Sequence, residues 1–187
     1  MLKRLLTVLM ICSILVFIGC TEKPKGKAVG ETVSTKEYNF ENGTADWKPI
    51  EKMKISEDKA KKHEEKASMK ITGIGQAGQW SFTRSEKISI YPGKRYRLTG
   101  WMLIDSMSDE GTSSFKCEFW QPDKWVQNVE TNKYDINKKG QWQELTAEFT
   151  SPDVNGLLLS LAIEKRPMEK NLVATLYVNN IKLEMIK

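Results

Sequence analysis

The sequence is poor in the residues that most often carry catalysis. It has one histidine and three cysteines in 187 residues. The histidine, His63, stands in the charged segment 56–66, which we expect to be a solvated loop or a short surface helix. No second histidine or cysteine lies nearby in sequence. A zinc cluster and a histidine-activated nucleophile both need such partners, and no phosphate-binding loop motif is present. We therefore expect an exposed His63 and a protein that is not an enzyme.

Long apolar segments are scarce as well. The N-terminal run at residues 5–18 is shorter than the roughly 20 residues that a membrane-spanning helix needs. Lys3 and Arg4 precede this run and Gly19-Cys20 follow it, which is the pattern of an export signal. Residues 16–20 resemble a bacterial lipobox, which implies that residues 1–19 are removed and that Cys20 is lipidated. An ordinary secretory signal and an uncut signal anchor are the alternatives.

A lipidated Cys20 predicts a protein anchored to a bilayer on the extracytoplasmic side of the cell envelope. Loss of Lys3 and Arg4 lowers the formal net charge from +5 to +3. The remaining lysines alternate with glutamates, so no basic face for nucleic acid is indicated. With Cys12 removed and Cys20 lipidated, only Cys117 remains, which excludes an internal disulfide. Cys117 alternates with Phe115 and Phe119 and is therefore predicted to be buried.

The rest of the chain divides into a tether and one domain. Residues 20–36 are rich in Lys, Gly, Thr and Pro and have little to bury, as is typical of a flexible tether. From residue 37 to residue 187, short stretches of alternating apolar and polar residues are separated by turn signals such as Asn42-Gly43 and Pro92-Gly93. Eight or nine such strands without a long helical pattern predict an all-β, antiparallel β-sandwich.

Five segments in this domain carry a resemblance to a known family. They are residues 39–43 with Trp47, residues 67–71, residues 92–101, residues 140–143 and residues 176–183. In this order they resemble the carbohydrate-binding modules of the CenC type, which are jelly-roll, galactose-binding-domain-like sandwiches. The resemblance implies a non-catalytic module without a required cofactor. It also implies a structural Ca²⁺ near Glu41 and the last strand, where Asn179 and Asn180 replace the usual aspartate, and thus a weaker site.

Aromatic side chains that point away from the core are the candidates for sugar contact, because a flat ring covers the apolar face of a sugar. The alternation that buries Phe119 turns Trp120 outward, and Trp125 lies in a polar stretch with Gln127. The same reasoning places Trp101 and Arg97 on the side opposite Tyr96 and Leu98. We predict carbohydrate contact at these positions: Trp120, Trp125, Trp101, Arg97 and Gln127. Trp80 shares a predicted face with Phe82 and is expected in the core, and Trp47 and Trp142 are expected to be structural.

The sequence thus predicts a membrane-anchored lipoprotein whose β-sandwich binds a polysaccharide or other glycan through exposed aromatic residues. The alternative is an envelope lipoprotein that uses the same sandwich to hold a protein partner. An aromatic row in a concave groove favours the first hypothesis, and a flat apolar patch favours the second.

Overall fold

The computed structural model describes residues 32–187. The predicted signal peptide, the predicted lipidation site Cys20 and most of the predicted tether lie outside the described residues. Within residues 32–187, no helix is long and apolar enough to cross a membrane.

Two antiparallel sheets form the sandwich. The first has the strand order β10-β7-β12-β4-β3, with β1 paired to β12. The second has the order β2-β5-β11-β8-β9, with β6 paired to β11. The strands are β1 (Thr35–Tyr38), β2 (Trp47–Pro49), β3 (Met53–Asp58), β4 (Ser68–Gly75), β5 (Ser81–Ser85), β6 (Ile88–Ser89), β7 (Arg95–Met107), β8 (Phe115–Gln121), β9 (Lys124–Glu130), β10 (Gln143–Thr150), β11 (Leu158–Glu164) and β12 (Leu172–Met185).

The hydrophobic core lies between the two sheets and is built by the predicted alternation. In β7, Tyr96 and Leu98 are fully buried while Arg97 between them is not. In β8, Phe115 and Phe119 face β7 from the other sheet. The Phe115 ring packs so closely against β7 that Gly100 must be a glycine, because a Cβ atom there would lie 2.7 Å from Cε2 of Phe115. The all-β, antiparallel jelly-roll sandwich predicted from the sequence is the observed fold.

Cys117 is buried among these residues, as the alternation predicts, and is a free thiol. Burial raises the pKa of the Cys117 thiol far above its ordinary value. It is therefore a small apolar core residue in its protonated form, without the thiolate that reactivity requires.

Three boundaries differ from the sequence prediction. The folded domain begins before residue 37, because β1 starts at Thr35 and Val33 forms a bridge with Ile90. Strand β3 continues to Asp58, into the segment that was expected to be a charged loop or short helix. The polar stretch around Trp125 forms β9, whose hydrogen bonds to β8 compensate for its lack of buried side chains.

Candidate functional site

The outward face of the second sheet carries a groove along β11. The residues of β11 on this face include Ser160 and Ala162, both small and buried. Ala162 lies between Arg84 of β5 and Lys116 of β8. Directly paired residues share one face of a sheet. The large side chains of β5 and β8 therefore flank the small side chains of β11 on both sides. The result is a cavity of about 420 Å³ on the surface.

Three tryptophans form the walls of this groove. Trp120 and Trp125 are paired across β8 and β9 on one side, and Trp80, which immediately precedes β5, stands on the other. Trp80 is 52% exposed and Trp125 is 53% exposed, whereas the core tryptophan Trp47 is 3% exposed. A site with this much accessible aromatic surface offers flat apolar faces to a ligand.

Trp120 and Trp125 have fixed orientations. The Trp120 Nε1 donates to Ser160 Oγ at 3.3 Å, and the Lys87 ammonium lies 4.2 Å from the centre of the Trp120 ring. The Trp125 Nε1 donates to Asn128 Oδ1 at 2.9 Å. Each indole therefore has its polar edge satisfied by the protein, and one face of the Trp120 ring is covered by Lys87.

The floor of the groove holds charged side chains that are buried although they point outward. Glu118 Oε1 accepts from Arg84 Nη2 at 3.1 Å and lies 3.2 Å from Lys116 Nζ. Glu118 Oε2 also accepts from Ser160 Oγ at 3.4 Å. Lys116 is 1% exposed, and a buried charge is tolerated only when it is paired. The sequence alternation predicts that Lys116 and Glu118 point outward. It does not predict that they are buried, because their burial depends on the ion pairs that they form.

Glu164 continues this ionic chain beneath the groove. One of its oxygens lies in ion-pair contact with Lys116, and the other lies 3.2 Å from Arg166 Nε. Neither oxygen receives a well-aligned hydrogen bond. Burial raises the pKa of Glu164, and the nearby Lys116 only partly opposes this effect. Arg166 in turn donates to Glu130 at 2.7 Å, so positive and negative groups alternate throughout the floor.

The predicted contact residues do not all meet in this groove. Trp120 and Trp125 line it, and Trp80 lines it too, contrary to the expectation that Trp80 is a core residue. Trp80 lies just before the first residue of β5, and the pairing of β5 with β11 shifts register between Ile163 and Glu164. The alternation that buries Phe82 therefore does not extend to Trp80. Gln127 is paired with Phe119 and therefore belongs to the core-side face of the edge strand β9, away from the groove.

Trp101 and Arg97 lie on the other sheet, in β7. Arg97 is bound by Glu148, with its Nε and Nη2 at 2.9 and 2.6 Å from Oε1. Trp101 stacks against His63, with ring centres 3.8 Å apart and planes 17° from parallel. His63 is thus half-buried rather than exposed, and it also contacts Trp142 edge-on at 5.8 Å between ring centres. The structure does not bring Trp101 or Arg97 near Trp120.

A separate polar cluster lies where β1 ends beside β12. Tyr38 is paired with Ile181, so the segment that carries Glu41 leaves β1 next to the part of β12 that contains Asn179 and Asn180. The Oδ1 atoms of both asparagines are buried without a hydrogen-bond donor. The Asn179 amide donates to the Ala67 carbonyl at 2.6 Å.

The carboxyl of Glu65 lies close enough to that of Glu41 for the two groups to interact electrostatically. Desolvation and the negative charge of Glu41 raise the pKa of Glu65. Within residues 32–187, no three His, Cys, Asp or Glu side chains converge on a point. The two buried amide oxygens without donors, together with the carboxylates of Glu41 and Glu65, are oxygen atoms of the kind that Ca²⁺ prefers, so the residue types present fit the ion.

A smaller cavity of about 210 Å³ lies in the loop between β1 and β2. Its aromatic lining residues, Tyr38, Phe40 and Trp47, are buried core residues. It therefore lacks the accessible ring faces of the groove on the second sheet.

Comparisons with known proteins agree with this architecture. A family model described as "Carbohydrate binding domain" matches residues 34–169. The CBM22-1 xylan-binding domain of Paenibacillus barcinonensis Xyn10C is similar in structure, with a TM-score of 0.60 at 14% identity over 81% of this chain and 94% of that chain.

Two further solved structures show the same fold. The CBM22-1-GH10 modules of Clostridium thermocellum xylanase 10B, complexed with xylohexaose, give a TM-score of 0.63 at 12% identity over 80% of this chain and 28% of that chain. A family 16 carbohydrate-binding module gives 0.53 at 17% identity over 78% of this chain and 94% of that chain. A search of curated proteins finds no match.

Proposed function

The chain belongs to the carbohydrate-binding domain family, and from this premise we propose that it is a glycan-binding module whose ligand occupies the groove on the second sheet. The observation that carries the proposal is the set of three tryptophans, two exposed and one half-buried, around a charged floor. The rings of Trp80, Trp120 and Trp125 supply apolar faces for sugar rings. The paired charges of Arg84, Lys116 and Glu118 supply donors and acceptors for hydroxyl groups.

The ligand that we propose to test first is a xylan-type polysaccharide. Three of the structurally similar domains are named as xylan-binding, and a fourth structure was solved with xylohexaose. The charges in the groove floor compensate one another, with Arg84 on Glu118 and Arg166 on Glu164. Such a floor suits a neutral polymer, since it leaves no excess charge to be matched by the ligand.

We propose that the module acts by binding alone. The carboxylates of the floor, Glu118 and Glu164, are each held by cationic partners. His63 lies on the outward side of the other sheet, stacked on Trp101. Cys117 points into the core with its thiol protonated. The groove therefore presents neither an activated nucleophile nor a free pair of carboxyl groups for hydrolysis.

The proposed location is the extracytoplasmic face of a bacterial membrane, with the protein anchored by lipid on Cys20. The support is the N-terminal sequence: two basic residues, a short apolar run and the lipobox-like residues 16–20. Labelling with radioactive palmitate tests the anchor, and Cys20→Ala is expected to abolish incorporation and to release the protein from the membrane fraction. Unchanged labelling of Cys20→Ala would contradict it.

We further propose a structural Ca²⁺ held by Glu41, Asn179 and Asn180. The ion would join the segment after β1 to β12 and would satisfy the two buried amide oxygens that lack donors. It has no part in ligand binding, because this cluster lies on the first sheet.

The proposed function is tested by titrating the protein with xylohexaose and soluble xylan in a calorimeter and by probing a glycan array. Saturable binding that is lost in Trp120→Ala is the expected result. Absence of binding to every glycan on the array would contradict the proposal and would favour the protein partner.

A further inference from the structure

Both walls of the groove connect to one buried carboxylate, Glu164. It has no exposed side-chain surface and is the last residue of β11. The groove itself is lined by Lys116 and Glu118 but not by Glu164. A ligand in the groove therefore meets the partners of Glu164 and not Glu164 itself.

One wall is reached through β8. Glu164 contacts Lys116, whose ammonium lies 3.2 Å from Glu118 Oε1. Glu118 Oε2 accepts a hydrogen bond from Ser160 Oγ at 3.4 Å, and Ser160 Oγ accepts one from Trp120 Nε1 at 3.3 Å. This chain of polar contacts links Glu164 to the orientation of the Trp120 ring.

The other wall is reached through Arg166. Its Nε lies 3.2 Å from Glu164 Oε1, and the centre of its guanidinium group lies 5.7 Å from the centre of the Trp80 ring. The backbone reinforces this arrangement, because Glu164 is paired with Ser81 and the Lys165 amide donates to the Trp80 carbonyl at 2.9 Å.

We propose that Glu164 is a positioning residue that orients Trp120 and Trp80 together, through Lys116 on one side and Arg166 on the other. Lys116 and Arg166 contact different oxygens of the Glu164 carboxylate, which holds both cations in place. Without it, Lys116 loses one of its two acidic partners and Arg166 keeps only Glu130. The relevance of this coupling to ligand binding rests on the proposed function.

Glu164→Gln keeps the size of the side chain and removes its charge. The matched control is Glu148→Gln, which removes a carboxylate that is also bound by two cations, Arg95 and Arg97, but on the first sheet. The readout is the indole N–H spectrum of the full ¹⁵N-labelled chain in mild detergent, which contains six tryptophans. Trp80→Phe and Trp120→Phe assign the two relevant signals.

Glu164→Gln is expected to displace the signals of both Trp80 and Trp120 and to leave those of Trp101 and Trp142 in place. Glu148→Gln is expected to displace neither groove signal. A spectrum of Glu164→Gln in which Trp80 or Trp120 stays at its wild-type position overturns the proposal.

If Glu164→Gln does not fold, a pH titration of the unmodified chain tests whether Glu164 orients Trp80 and Trp120 together. Glu164 contacts Lys116 from β8 and Arg166 after β11. The charged groups next to these two cations are Glu118 from β8, which also binds Arg84 from β5, and Glu130 from β9. On acidification, the Trp80 and Trp120 signals are expected to move with one common midpoint. Separate midpoints, or no movement of one signal, overturn the proposal.

Binding of xylohexaose then links the geometry to function. Glu164→Gln is expected to weaken binding by on the order of tenfold, and Glu148→Gln is expected to leave it unchanged. If the wild-type chain binds no glycan, the proposed function fails, while the indole spectra still decide the role of Glu164.

Discussion

Trp120 and Trp125 lie directly opposite each other across β8 and β9, with both rings lining the same groove. We predict that Trp125→Ala and Trp120→Ala each reduce the free energy of glycan binding by about 2 kcal/mol, as expected for aromatic residues at the centre of an interface. Trp125→Ala should hardly change the melting temperature, because its ring is 53% exposed. Calorimetric titration and thermal denaturation of the same variants measure the two effects.

Two control variants accompany this prediction. Trp47→Ala removes a ring that is 3% exposed and should destabilise the fold by roughly 3–5 kcal/mol. Trp101→Ala alters the other sheet and should leave glycan affinity unchanged. A loss of affinity in Trp101→Ala equal to that in Trp125→Ala would move the binding surface to the first sheet.

The stacking of His63 on Trp101 predicts that this pair holds the lysine-rich loop after β3 against the first sheet. The loop is also held by an ion pair between Lys61 and Asp105. His63→Ala should speed tryptic cleavage of the loop, whereas His63→Phe should preserve the stacking and the resistance. Glycan binding should be the same in both variants. Equal cleavage of wild type and His63→Ala would show that the stacking does not restrain the loop.

The buried carboxyl of Glu164 predicts a specific dependence of stability on pH. Its folded-state pKa is raised above the ordinary value of 4.5, so the folded state binds the proton more tightly than the unfolded state. This contribution to stability is fully present below the unfolded pKa and is lost as pH rises through the folded pKa. Denaturant unfolding from pH 4 upward should show this loss in wild type. Glu164→Gln should be less stable but should have a flatter profile, and an unchanged slope would contradict the assignment.

Cys117 should be chemically silent in the folded protein. Its side chain is buried, and burial raises the pKa of its thiol. In the domain of residues 32–187, a maleimide should label Cys117 only after denaturant is added, with a labelling midpoint equal to that of unfolding. Rapid labelling under native conditions would show that the core opens around β8. Cys117→Ser, which cannot be labelled, provides the background.

The proposed Ca²⁺ predicts that a chelator lowers the melting temperature. An ion present at about 100 times its Kd stabilises the folded state by about 2.7 kcal/mol. Glu41→Gln should melt at the temperature of chelated wild type and should not respond to chelator. Lys66→Met is a suitable control, because Lys66 contacts Glu41 and neither lysine nor methionine supplies an oxygen ligand for Ca²⁺. A melting temperature that does not respond to chelator would remove the ion from this domain.

The sequence was sufficient to predict the fold where each strand has one buried face. The alternation at Tyr96, Leu98, Phe115 and Phe119 assigned the core residues correctly. It did not identify β9, because an edge strand can be stabilised by backbone hydrogen bonds alone and then has no apolar period. The start of β1 was missed for the same reason: among its four residues only Tyr38 is buried.

The groove was only partly predictable, because alternation assigns a face but not a sheet. Trp101 and Trp120 both point outward, yet they belong to opposite sides of the sandwich. A register shift between β8 and β9 interrupts the alternation next to Trp125, so Gln127 and Trp125 lie on opposite faces of the sheet. The burial of Lys116 and Glu164 depends on their contact with each other, and because these two residues are far apart in sequence, no local pattern indicates it.

The pairing of β1 with β12 has a consequence for engineering. Thr35 at the start of β1 lies opposite Glu184 near the end of β12, so the first and last strands of the domain bring these two positions together on the sheet that does not carry the groove. A linker of a few residues should therefore join these positions in a circular permutant, with new termini opened at the exposed turn Pro122-Asp123 or elsewhere. For the same reason, a surface or a fluorescent protein attached at either position would leave the tryptophan face directed outward, which suits the domain to oriented display.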